Sequence, residues 1–380
     1  MESLAELLSD LAYADPSGEQ PACPPPQPVE QAVKELRKQC EAGATPLPDS
    51  SQPPADAAAA AAEAHAALLE SASTVPKMCA AVGVATAAID AIDRAEGDVD
   101  TAKSGLMRWG HLRANLLQVL LHVANSEARC IRILELSNDT AAAECVAILT
   151  SAAARSDTEG VRTGANLLRN LSMPASARPR IGALPDLFPA LLKQVAHPDP
   201  NVQAVVGATL RILCEGCIAN ATIAARAASD PAGGVEGDGF GRITRLDLSR
   251  MHPFCRVELA RFISIVVVAC AAAAAAAPPP SPTAPEGAQQ LALSAPDALG
   301  FAAFVLGGRH AALHKEFCTA LRAAKATRVR IGGAEAATAW ATAVGALMVP
   351  VRGSEVPLRE VLRELAAAGA LTATEASVLG

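Results

Sequence analysis

A helix ending that returns at intervals of a little under fifty residues constrains this chain more than any other feature. Leu120-Leu121-His122-Val123, followed by Arg132-Ile133, aligns without a gap to Leu168-Arg169-Asn170-Leu171, followed by Arg180-Ile181. The offset is 48 residues at both places, from 120 to 168 and from 132 to 180. The ending comes back as Leu210-Arg211-Ile212-Leu213, 42 residues beyond Leu168, and more faintly as Phe262-Ile263 after Cys255. A unit that recurs at such a period cannot bury its apolar face alone, so copies must stack.

The segments between these landmarks are helical by period. Leu184, Leu187, Phe188, Leu191, Leu192 and Val195 stand at i, i+3, i+4, i+7, i+8 and i+11, and Val202, Val205, Val206, Leu210 and Leu213 continue on the next helix. Turn signals fall at Gly97-Asp98, Asn138-Asp139, Asp157, Pro174, Pro198-Asp199-Pro200 and Asp230-Pro231, and no strand-period segment intervenes. Each unit therefore reads as a short first helix, here Ala175–Ala183, then a second helix and a longer third. Repeats of about 40–47 residues are the mark of armadillo and HEAT arrays. The expected fold is all-α, an armadillo-type α-solenoid in which three-helix repeats stack into a superhelix.

Composition agrees with that expectation. Aromatic residues are 3% of the 380-residue chain while alanine is used throughout, which favours helices packed closely through small side chains. The expected organisation is N-terminal helices with proline-rich linkers over residues 1–73, repeats over 74–270, an Ala/Pro-rich linker over 271–290 and further armadillo-like helices over 291–380. In the first part a charged helix around Val29–Cys40 lies between two proline-rich stretches, and Ala57 to Ala72 is a helix by propensity. Beyond the linker, Ala298–Gly307 and His310–Ala324 read as a helix pair and Leu358–Ala368 as a closing helix. The apolar run Phe262 to Ala277 is shorter than the roughly 20 residues of a membrane span and stops at Pro278, so a buried helix is expected. The opening MESLAELLSDLA is an amphipathic helix without a basic n-region, and a cytoplasmic setting is expected.

A net charge of −7 argues against a general nucleic-acid binder, which would meet phosphates with a basic face. Arg322, Lys325, Arg328 and Arg330 precede Gly332-Gly333, as cations do at a helix end. The ten scattered cysteines read as buried thiols. Cys214-Glu215-Gly216-Cys217 has redox or zinc spacing but no second such pair, so helix-end thiols are the default. His310 and His314 share a helix face without the glutamate of a metalloprotease, and Gly237 to Gly241 has no strand before it and no lysine after it. Asp98 and Asp100 lack the rest of a calcium loop, and Asp100 is expected to cap a helix that begins near Thr101. No hydrolase, metalloprotease or kinase signature is present, so no enzyme activity, cofactor or metal is expected.

Two stretches within Leu120–Glu215 carry a family resemblance: LHVANSEARCIRILELSND, and VRTGANLLRNLSMP running on through the helix Asn201 to Leu213. They resemble the armadillo repeats of the small-GTPase GDP-dissociation stimulators, most clearly at Arg169, Asn170 and Pro174. The resemblance implies a scaffold that binds prenylated Rho- and Rap-type GTPases, promotes GDP release by deforming the switch region, and shields the lipid. An acidic scaffold would also attract the polybasic tail of such a partner. In such repeats the position of Asn170 commonly faces the concave groove, so His122, Arg169, Asn170 and Arg211 are the expected partner-binding residues, with no stable membrane insertion. Two alternatives stay open: Asn170 capping backbone inside the array, and a generic adaptor that binds an extended peptide without exchange activity.

Overall fold

A computed structural model describes residues 2–12, 25–41, 55–94 and 99–229, and beyond them Phe254, Cys255, Glu258, Leu259, Phe262 and Ile265. The Gly-rich stretch at 230–242, the linker at 271–290, the C-terminal helices, the Arg322–Arg330 cluster, His310, His314 and Trp340 lie outside the described residues. The described elements are α1 (Glu2–Ala12), α2 (Gln27–Glu41), α3 (Ala55–Glu70), α4 (Thr74–Arg94), α5 (Val99–Val123) and α6 (Glu127–Ser137). They continue with α7 (Thr140–Thr150), a 3₁₀ turn (Ala152–Arg155), α8 (Thr158–Leu171), α9 (Arg178–Gly182), α10 (Leu187–Gln194), α11 (Pro200–Cys214) and α12 (Ile218–Ser229). Every regular element among the described residues is helical and none is a strand. The all-α expectation holds.

Local chemistry sets most helix limits. Ser126 starts α6 by accepting from Arg129 N–H, Asp157 starts α8 by accepting from Gly160 N–H at 3.1 Å, and Asp199 starts α11 by accepting from Asn201 N–H at 2.7 Å. Each such cap occupies a donor that the first turn leaves open. Asn138 and Asp139 close α6 with φ of 50° and 64°, the left-handed conformation that short polar side chains tolerate. Three boundaries differ from the sequence reading. The helix expected from Thr101 begins at Val99, which puts Asp100 inside its first turn. The first helix of the repeat is only Arg178–Gly182, because Pro179 lacks an N–H and fits only in a first turn. Leu184 falls outside α10, since Asp186 at φ 59° breaks the chain before Leu187.

The chain divides into two compact units, Met1–Asp186 and Leu187–Gly380. In the first, α1 packs on α4, α2 on α5, α3 on α6, α4 on α7 and α5 on α8. At the centre, α4 buries Val75, Met78, Val82, Ala85 and Ile89, and α5 buries Trp109, Leu112, Leu116, Leu117 and Leu120. By length and composition α4 could cross a membrane, but here it is surrounded by α1, α5 and α7, which accounts for its apolar character. Arg113 stands on the same stripe of α5 and is 1% exposed. Its guanidinium donates to Asp157, the α8 cap, and at 3.2 Å to Thr86 Oγ1 of α4. Asp90, also on α4, accepts from Ser151 Oγ in the 3₁₀ approach to α8. A methyl group on Gly160 would strike Asp157 Oδ2 and lie 2.8 Å from Arg113 Nη2, so a larger residue there would force this pair to shift. Burial works against both charges, lowering the guanidinium pKa and raising the Asp157 carboxyl, and their pairing offsets it.

In the second unit, α10, α11 and α12 pack mutually over Leu187, Phe188, Leu191, Val202, Val206, Leu210 and Leu213. Gly207 lets a further segment approach α11, with Cys255 Sγ 3.5 Å from where its Cβ would stand. Cys255 donates to Gln203 O at 3.1 Å.

Two outcomes follow. Arg113→Ala should cost about 3 kcal/mol in denaturant unfolding, at the lower end for breaking a buried ion pair, because it removes the cation that offsets the part-burial of the Asp157 carboxylate. A loss below about 1 kcal/mol would show that water reaches the site. Separately, the Glu144 carboxyl on α7 packs against Gly83 of α4, and burial raises its pKa from 4.5 to about 7. The folded state thus holds this proton more tightly than the unfolded chain, so its contribution to stability is full at low pH and is lost as pH rises from 4.5 to about 7. Urea midpoints across that window should show Glu144→Gln removing part of the decline, and an unchanged slope would reject the assignment.

Candidate partner-binding surface

The corner where α5 gives way to α6 gathers the expected residues of the first unit. His122, in the last turn of α5, holds Nε2 3.6 Å from Glu41 Oε1 of α2, an ion pair when the imidazole is protonated. Glu41 in turn accepts from Arg37 Nε at 2.6 Å, and Arg37 Nη1 donates to Asn115 Oδ1 at 2.8 Å. One and two residues past the end of α5, Ala124 and Asn125 expose backbone and amide groups that other helices must satisfy.

Asn170 does this from α8. Its Nδ2 donates to Ala124 O at 3.0 Å, across 46 residues of sequence, and the Cys130 thiol of α6 donates to the same oxygen at 3.7 Å. Of the two roles open in the sequence, the structure gives the amide the internal one, although its half-exposed position leaves it at the surface. Arg129 completes the corner, donating to Asn125 Oδ1 and to His65 Nδ1 of α3, both at 3.0 Å. A guanidinium has no acceptor, so His65 must present the lone pair of Nδ1 and carry its proton on Nε2. Burial, then the charges of Arg129 and His122, hold the His65 pKa below its ordinary value, while the Cys40 backbone acts the other way.

Arg169 and Arg211 differ. Arg169 is half-exposed in the last turn of α8, and its guanidinium makes no hydrogen bond or ion pair with another described residue. Its charge is therefore open to a partner. Arg211, in the second unit, donates through Nε to Glu258 and through Nη1 to Glu215 Oε2 at 2.7 Å. Glu258 is 2% exposed, so this arginine is engaged by its own unit. Sequence reasoning missed His65, Arg129 and Glu258, and the long-range contacts that make them matter have no local signature. Arg113 did leave a signal, a lone cation on the face of α5 that carries Leu112, Leu116, Leu117 and Leu120.

Among the described residues no cluster of three or more His, Cys, Asp or Glu could hold a metal ion. Cys40, Cys79, Cys130, Cys145 and Cys214 are buried free thiols, and Cys217 is half-exposed. Burial raises Cys40 and Cys130 to about 11 and Cys79 to about 12. Cys40, Cys79 and Cys130 serve as packing groups, with no second cysteine set in the same turn. A scan against protein-family models finds no match, and comparison with curated proteins finds none either.

The corner makes a direct prediction. Asn170→Ala removes the amide donor from a carbonyl that is 2% exposed, and should lower stability by about 1–2 kcal/mol in urea unfolding. An unchanged midpoint would mean that solvent or Cys130 satisfies Ala124 O in its place.

Proposed function

We propose that this chain is a protein-binding armadillo-type scaffold that regulates a small GTPase, promoting GDP release and shielding a prenylated, Rho- or Rap-type partner. The observation that carries the reading is the packing of α1, α2, α3, α4 and α5 each on its third successor. Three helices per repeat is the armadillo plan, and it puts α5 and α8 side by side with His122 and Asn170 at corresponding ends. On that plan α3–α5 and α6–α8 are successive repeats, and α1 and α2 are the second and third helices of a repeat ahead of them. Solenoids of this kind use a line of equivalent residues as an extended binding surface.

Within that line Arg169 is the proposed anchor, because its guanidinium has no partner among the described residues. Asn170 and His122 shape the floor of that surface by fixing the α5 end, and Arg211, in the second unit, is already engaged by Glu258 and Glu215. The resemblance of Leu168–Pro174 to the GDP-dissociation stimulators supports a GTPase as the partner. The net charge of −7 supports attraction of a polybasic tail, an effect that weakens as salt screens it. The proposed regulation of the GTPase involves no covalent step, and a cytoplasmic setting follows from the proposed partner.

Release of labelled GDP from a prenylatable Rho-type GTPase tests the proposal. The full chain should speed release, and Arg169→Glu should weaken GTPase binding about tenfold, or about 1.4 kcal/mol, while keeping the native melting temperature. Binding of the GTPase with no change in GDP release would favour the peptide-binding adaptor, and absence of binding would remove the GTPase from the reading.

A further inference from the structure

The corner between α11 and α12 is built from Cys214-Glu215-Gly216-Cys217. Cys217 N–H donates to Cys214 O at 3.1 Å, Glu215 stands at φ −64°, ψ 115°, and Gly216 at φ 69°. These are the features of a type II turn, whose third residue needs positive φ and so favours glycine. The first and last Cα atoms of such a turn lie within about 7 Å, a range that overlaps the span of about 4.4–6.8 Å bridged by a disulfide. Both cysteines are free thiols here.

The two sulfurs are not equivalent. Cys214 is buried at the end of α11, with burial pushing its thiol well above the ordinary range and Cys217 adding to the effect. Cys217 is half-exposed at the head of α12, where its carbonyl accepts from Ala221 N–H at 3.1 Å, and the adjoining Ile218 is 59% exposed. Reagents in solution thus meet Cys217 first. Side chains hold the corner in shape: Asn220 Nδ2 donates to Leu213 O at 2.8 Å, and Arg211 Nη1 to Glu215 Oε2 at 2.7 Å. The turn therefore presents its two cysteines in a fixed relation.

We propose that Cys214 and Cys217 form a reversible dithiol–disulfide site that exchanges with small-molecule disulfides. Cys217, as thiolate, attacks one sulfur of the reagent; a protein–reagent S–S bond forms, the reagent's S–S bond breaks, and its other half leaves as a thiol with the proton that Cys217 gave up. Cys214 then loses its proton and attacks Cys217 Sγ, the mixed disulfide breaks, and the second half of the reagent leaves as a thiol. Both protein thiols are oxidised and one small disulfide is reduced to two thiols, so the exchange balances without another reactant. This site is independent of the proposed GTPase role.

Glutathione is the probe. The full chain is equilibrated in buffers of increasing oxidised-to-reduced ratio, then denatured, alkylated and digested with trypsin. The peptide Ile212–Arg226, bounded by Arg211 and Arg226, contains both cysteines and no other. In oxidising buffer it should lose both thiol hydrogens and resist alkylation, and reduced glutathione should restore it. Cys214→Ala should trap glutathione on Cys217, whereas Cys217→Ser should leave Cys214 unmodified by glutathione. Running the exchange in denaturant should sharply reduce the closed fraction, since the turn no longer holds the pair. A peptide that stays doubly alkylated in oxidised glutathione overturns the proposal, as does equal closure in the folded and unfolded chain.

Discussion

The first unit depends on one guanidinium taken out of water. Arg113 sits among leucines on α5, and its charge is tolerable because Thr86 and Asp157 accept from its two terminal nitrogens and Asp90 lies close enough to favour the cation. Asp157 is also the α8 cap, so one carboxylate both starts a helix and answers a buried charge. Three helices, α4, α5 and α8, are therefore held in one register by a contact that rejects substitutes. A hydrophobic pair of equal volume could fill the space but would not start α8 or exclude a methyl group at Gly160. We assign the pair chiefly to the fixed spacing of these helices and only secondarily to stability.

Around that contact the unit is built from small side chains. Alanine, glycine and cysteine line many helix contacts, as at Gly83 against Glu144 and Gly164 against Ile148, so helices approach closely with little apolar area per residue. Burial of this kind contributes less per helix than leucine-rich packing, since the favourable term grows with the area removed from water. Polar links between distant helices supplement it: Arg108 on α5 with Glu30 on α2, Arg180 on α9 with Asp139 at the end of α6, and Arg129 on α6 with His65 on α3. The weakly apolar α3 gains its fixed place through such a link.

At the α5–α6 corner the proposed binding surface and the fold share residues. Asn170 spends its amide on Ala124 O and His122 faces Glu41, which orders the groove end, while Arg169 beside them keeps its charge free of other described residues. In the proposed scaffold the neighbours set the shape and Arg169 meets the partner. Arg211 makes a parallel point in the second unit. Its sequence position matches Arg169, yet Glu258 and Glu215 already neutralise it, and its use is to brace the turn that carries Cys214 and Cys217.

Helix type and the main breaks between helices over the described residues were legible in the sequence, because they rest on local physics: the 3.6-residue period, turn residues such as Asp157, Asp199 and Asn138-Asp139, and proline that cannot donate. The 48-residue recurrence likewise marked α5 with α8 and α6 with α9 as equivalent elements. The partners of polar side chains were not legible. Arg169 and Arg211 have the same residue type, the same neighbour pattern and the same helix position, and only packing decides that one is engaged by a glutamate 47 residues away while the other is not. Asn170 could cap or bind by its sequence alone, and the approach of Ala124 O to 3.0 Å settled its bond. Periodicity is written in neighbours along the chain, whereas the environment of a charge is set by helices that fold against it from far away in sequence.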